Sequence, residues 1–172
     1  MAIANTLIVR AGHVLDVETG KLLDDQDILI EDGRIRSITP HAKKRAAGVD
    51  DLDWSAWSVV PGLMDMHTHL ADEGQTADPA APLHSTPARD AFIGANNARK
   101  TLQAGFTTVR DVGVYRGFAD VALRDAINAG LVPGPRMFVA GAYITITHGG
   151  GEITGYKPGT VVPEEFRRGV AN

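Results

Sequence analysis

From Leu63 onward the chain reads as a repeated strand-and-helix unit, and this rhythm constrains its fold more than any other feature. The run Leu63 to His69 suits a strand. Residues 72–87, with Pro79, Pro82, Pro87 and several small side chains, read as a long loop. Ala88 to Ala104 has helical composition and stops at Gly105, and Phe106-Thr107-Thr108-Val109-Arg110-Asp111 is the next strand. Phe118 to Ala129 forms a second helix ahead of Gly130, and Arg136 to Ala140 a third strand. Buried-type strands that alternate with helices imply a parallel sheet. Three such steps are too few for a (β/α)8 barrel, which takes about 250 residues, yet the chain stops just after a fourth segment should begin. A chain of 172 residues is therefore expected to be the front part of a longer protein. On its own such a piece leaves a sheet edge and apolar layers uncovered, so we expect it to be molten or insoluble, and inactive.

Residues 5–58 follow a different pattern. Leu7 to Val9, Val14 to Asp16, Asp27 to Glu31 and Arg34 to Ile38 are short strand candidates. Asp32-Gly33 between the last two predicts a two-residue hairpin, because a type I′ turn needs positive φ at both central positions. These strands predict a small antiparallel unit, too few to close a core, which must pair with strands from elsewhere in the polypeptide.

Composition narrows the class. An apolar fraction of 44% with 22% charged residues describes a globular protein with a core of its own. The net charge of −4 and the single short basic trio Lys43-Lys44-Arg45, read as a solvated loop, argue against nucleic acid as a partner. No apolar stretch approaches the roughly 20 residues of a membrane span, and the first residues lack an export signal. Membrane association is not expected. A cytoplasmic location is the default, although a mature periplasmic or secreted form would look the same. With no cysteine, a metal site would have to be built from His and carboxylate groups.

His67-Thr68-His69 supplies half of such a site. Alternation along a strand points both rings the same way, with Cα atoms roughly 6.5 to 7 Å apart. Two neutral nitrogens can converge from there on one divalent ion at about 2.0 to 2.1 Å. Six His in 172 residues would yield a chance His-x-His in about one chain of five, so the motif needs its context. An apolar run and Pro61-Gly62 precede it, and Asp65 lies two residues before His67, which by alternation places it on the same face in a supporting role. A strand face reading Asp, His, His is costly as plain core, because unpartnered buried polar groups cost several kcal/mol. Two surface histidines on a solvated strand end are the structural alternative.

Four stretches resemble the amidohydrolase superfamily, and within it the imidazolonepropionase-like and Xaa-Pro dipeptidase (prolidase) group. They are the run from Asp27 to Ile35, Val60-Pro-Gly-Leu-Met-Asp-Met-His-Thr-His-Leu70, Gly105-Phe-Thr-Thr-Val-Arg-Asp-Val-Gly113, and the Thr147-His-Gly-Gly-Gly151 loop. The resemblance implies a TIM-like (β/α)8 barrel, of which residues 59–172 would be the first part with three β-α units. Residues 1–58 would be part of a small β-sandwich domain built from both ends of the polypeptide. It implies His67 and His69 as ligands of one or two divalent ions, zinc being expected. A carboxylated lysine, two further histidines and an aspartate would complete the site beyond Asn172. Lys157 lies in a Gly/Pro loop ahead of any fourth strand and is not assigned that role.

Two more residues fall at the same end of the predicted strands. Asp111 closes the second strand, where it could orient a ligand histidine, pair with Arg110 or Arg116, or cap the next segment. His148 opens a glycine run beyond the third strand, and the resemblance implies contact with substrate or the developing oxyanion; a chance histidine in a flexible loop is the alternative. Both are carried as catalytic candidates.

The expected activity is metal-dependent hydrolysis of a C–N amide bond in a peptide-like substrate, a dipeptide or an N-acyl amino acid, including ochratoxin-type amides. An imidazolonepropionase-like cyclic amide hydrolase or a deaminase is the alternative, and a metal-free binding module the rival from another class. A small-molecule substrate and a homo-oligomeric complete protein are the expected partners.

Overall fold

The computed structural model describes residues 6–42, 50–72, 78, 80–116, 118–166 and 170–171. The basic trio and residues 73–77 of the long loop lie outside the described residues. The chain divides into two compact units, Met1–Pro61 and Gly62–Asn172, so the boundary falls three residues beyond the expected 58.

The first unit is one four-stranded sheet of β1 (Thr6–Asp16), β2 (Lys21–Glu31), β3 (Arg34–Pro40) and β4 (Asp50–Val59), in the order β3-β2-β1-β4. β1, β2 and β3 are antiparallel neighbours, whereas β4 runs parallel to β1. The unit is therefore mixed and not purely antiparallel. The two short strands expected at 7–9 and 14–16 are one strand, because a shift in the β1–β4 register between Ala11 and His13 absorbs Gly12 without ending the ladder. A side chain at Gly12 would collide with the Ser55 carbonyl, which is why glycine stands at that crossing. Asp32 and Gly33 take φ of 50° and 73°, and Glu31 pairs with Arg34, as the hairpin reading expects. Val9, Ala11, Val14 and Ile28 form the apolar core, with Leu7, Ile30 and Val59 against it. No facing sheet is present among the described residues of this unit.

The second unit carries the β-α steps. β5 (Leu63–Thr68), β6 (Phe106–Asp111) and β7 (Arg136–Val139) are parallel neighbours in chain order. Between them run α1 (Pro87–Gln103) and α2 (Ala119–Asn128). Thr86 caps α1 by accepting the Arg89 N–H, and Pro87 follows where a missing N–H costs nothing. Gly105 and Gly130, at φ of 94° and 71°, end the two helices as the sequence predicts. A short 3-10 turn, Ala81–His84, stands in the expected loop, and β8 (Thr145–Ile146) pairs in parallel with β9 (Val170–Ala171).

Val109 and Met137, paired across β6 and β7, are buried with Leu70, Ala71, Ala98, Val114 and Leu123. Met64 and Phe138, in register with Thr108 and Arg110, are 68% and 57% exposed. One side of the sheet is thus a core and the other is open. The described residues form an open α/β sheet consistent with part of an amidohydrolase-type barrel, and no closed barrel is present among them.

Candidate metal centre

His67 is next to last in β5, and His69 follows the strand directly. Their rings meet edge to face with centroids 5.4 Å apart. His67 is exposed and His69 half-buried. Among the described residues the His67 ring has no hydrogen-bond partner. The His69 ring is held through Nδ1, which lies 2.8 Å from the Gly113 carbonyl oxygen and 2.8 Å from the Tyr143 hydroxyl. A carbonyl oxygen only accepts, so its approach favours the tautomer with the proton on Nδ1 and leaves the Nε2 lone pair free. Imidazole nitrogens are common ligands of divalent metals, and His67 and His69 are the residues that would hold such an ion here. Among the described residues no group of three or more His, Asp or Glu converges.

Asp65 departs from the expectation by alternation. β5 carries one extra residue between the pairs Asp65–Val109 and Thr68–Asp111. Val109 and Asp111 are two apart and share a face, so Asp65 and Thr68 lie on that face while the histidines flank Thr68. The Asp65 carboxylate instead accepts the backbone N–H of His67 at 3.0 Å and braces the chain, not the ring.

Asp111 is fully buried and reaches neither histidine ring by hydrogen bond. Its Oδ2 accepts the Leu70 N–H at 2.7 Å and its Oδ1 the Gly113 N–H at 3.4 Å. It therefore ties the residue after His69 to the residue whose carbonyl faces His69. Burial pushes its carboxyl up to about 6, against the two backbone N–H groups that favour the charge. Arg116, one of the alternative partners considered for Asp111, is bound to Asp90 at 2.8 Å.

Three contributors escaped the sequence reading. Asn97 on α1 donates to the Leu70 carbonyl at 3.0 Å and to the Asp72 carbonyl at 3.3 Å, so Leu70 is held at both of its backbone groups. Asp120, at the start of α2 and fully buried, accepts the Gly141 N–H at 2.8 Å and anchors the segment that leads to Tyr143. Tyr143 itself packs between His69 and Tyr115, at centroid distances of 5.7 and 5.0 Å. Burial, with Asp72 adding to it, raises both tyrosine hydroxyls above their ordinary value, Tyr143 far more, so that both stay protonated at neutral pH. Spacing could not reveal these three, since their partners lie tens of residues away in sequence.

His148 sits in a turn after β8 at φ of 61°, with its side chain 86% exposed. Its backbone N–H is held by the Glu152 carboxylate. Among the described residues no hydrogen bond or ion pair joins it to His67 or His69.

A pair of histidines thus stands at the end of a strand in a parallel α/β sheet, braced from behind by buried hydrogen bonds. Residues 58–171 match the amidohydrolase family, and the chain belongs to it. It is similar to the solved structure of a Xaa-Pro dipeptidase with methionine in its active site, at 34% identity and a TM-score of 0.82 over 97% of this chain and 41% of that one. It is similar also to Aspergillus niger ochratoxinase, at 27% identity and a TM-score of 0.70 over 88% of this chain and 34% of that one. Among curated relatives it is 41% identical to the dihydroorotase of Pelotomaculum thermopropionicum over 68 residues, 40% of this chain and 15% of that enzyme. The chain thus spans about two fifths or less of each of these three proteins.

Proposed function

We propose that the protein carrying this chain is a metal-dependent hydrolase that cleaves the C–N amide bond of a small peptide-like substrate, a dipeptide or an N-acyl amino acid. The observation that carries this reading is the His67–His69 pair at the end of β5, with Nδ1 of His69 pinned and Nε2 free. Membership of the amidohydrolase family supports a metal-dependent site, and the likeness to a Xaa-Pro dipeptidase and to ochratoxinase supports this substrate class. The chemistry such an ion supplies when bound is hydroxide at neutral pH and a polarised scissile carbonyl. The chain's own part is to present the two nitrogens: Asp65 braces the His67 backbone, while Asp111 and Asn97 fix Leu70 beside His69.

A second reading, hydrolysis of a cyclic amide, is favoured by the match to a dihydroorotase, an enzyme named for a substrate with ring amide bonds. The experiment is hydrolysis by the full-length zinc-loaded protein of Xaa-Pro dipeptides, N-acyl amino acids, ochratoxin A and dihydroorotate. Turnover of the first three groups, lost on chelation, is expected. Turnover of dihydroorotate alone would install the second reading, and no turnover in any metal would overturn both.

A further inference from the structure

Tyr143 is closely enclosed by the loops around it. Its ring fills space that two glycines leave open: a side chain at Gly113 would come within 2.5 Å of Tyr143 Cδ1, and one at Gly151 within 2.6 Å of its Cβ. Gly113 also takes φ of 136°, a region L side chains rarely adopt. Asp120 holds Gly141 from one side, and the Val114 N–H donates to the Gly141 carbonyl at 3.0 Å from the other. Loops from two β-α steps are thus shaped to deliver one phenol to one ring nitrogen of His69.

We propose that Tyr143 is a positioning residue of the metal centre, whose hydroxyl oxygen shares the His69 Nδ1 proton with the Gly113 carbonyl and so fixes the ring with Nε2 directed away as the ligating nitrogen. The inference rests on the metal-centre reading above. An imidazole with one acceptor can still swing about its hydrogen bond. A second oxygen at 2.8 Å on the same nitrogen, together with the tilted ring contact, removes that freedom. The proton on Nδ1 excludes it as a ligand, and only the Nε2 lone pair remains.

The test compares wild type, Tyr143→Phe and His69→Ala in the full-length protein, by zinc affinity in chelator competition and by nitrogen-15 NMR of the metal-free histidine side chains. Phenylalanine keeps the packing against Tyr115 and removes only the hydroxyl. The expected result is a roughly 10- to 100-fold loss of zinc affinity in Tyr143→Phe, with the His69 Nδ1 proton shifted and faster to exchange. Wild-type affinity with an unchanged Nδ1 proton signal would overturn the proposal. So would a wild-type spectrum with the His69 proton on Nε2, a reading that stands even if the variant fails to fold. A wild type that binds no zinc while showing a protected His69 Nδ1 proton would overturn the metal reading, and this role with it, but would leave the Tyr143 hydrogen bond standing.

Discussion

Asp111 and Leu70 are joined by a hydrogen bond from the Leu70 N–H to a carboxylate that has no exposed surface, which fastens the end of β6 to the residue immediately after His69. A buried carboxylate in that position responds to pH. The folded metal-free protein holds its carboxyl at about 6, above the 3.8 of an exposed aspartate, so the folded state binds the proton more tightly than the unfolded one. Asp111 therefore contributes stability that is fully present below about pH 4 and is lost as pH rises through about 6. The difference corresponds to about 3 kcal/mol. We predict that metal-free wild type loses stability relative to Asp111→Asn between pH 4 and pH 6, as read from urea midpoints at each pH. Parallel stability profiles for the two proteins across that range would show that Asp111 does not titrate in this way.

The histidine pair makes a different prediction. Since His67 is exposed and His69 half-buried, neither ring belongs to the buried core. Replacing both by Ala in the full-length protein should abolish amide hydrolysis and deplete bound metal while leaving the far-ultraviolet circular dichroism close to wild type. Full metal content in the double variant would remove these two residues from the ligand set.

The parts of the structure that a sequence can show are those set by neighbours in the chain. Gly105 and Gly130 mark helix ends because a left-handed residue is needed there, and Asp32-Gly33 marks its hairpin for the same reason. β4 is not among the strand candidates of the sequence, and its residues include Asp50, Asp51 and Asp53, a type depleted in strands. In the fold they belong to an edge strand, paired on one side only with β1, and Leu52 and Trp54 remain partly exposed. At the candidate site, the two histidines are legible from their spacing, but Asp65 was placed by an alternation that the extra residue in β5 breaks. Tyr143 reaches His69 across 74 residues, and no local pattern announces such a contact.

Away from the histidines, Asp90 and Arg116 form a largely enclosed ion pair, 2.8 Å apart, with side chains 10% and 12% exposed. Arg116 also donates to the Ser85 carbonyl and lies 4.5 Å over the Phe166 ring. Removing the carboxylate strands a guanidinium among these groups, which typically costs about 3 to 5 kcal/mol. We predict that Asp90→Ala lowers stability by about 3 kcal/mol, and that adding Arg116→Met recovers part of the loss. A single variant within about 0.5 kcal/mol of wild type would place the pair among ordinary surface ion pairs.

His148 gives the last prediction. Its ring is exposed, its backbone N–H is held by the Glu152 carboxylate, and it follows the third parallel strand, on the side where strands of such folds gather their chemistry. A residue that meets the developing oxyanion without binding metal should affect rate alone. His148→Ala in the full-length protein is then expected to keep its metal and lose kcat by roughly 10²- to 10³-fold, the loss that follows removal of one oxyanion donor. A higher KM at unchanged kcat would assign it to uniform substrate binding instead. Wild-type kcat/KM with full metal content would return it to the loop, and loss of metal would make it a ligand.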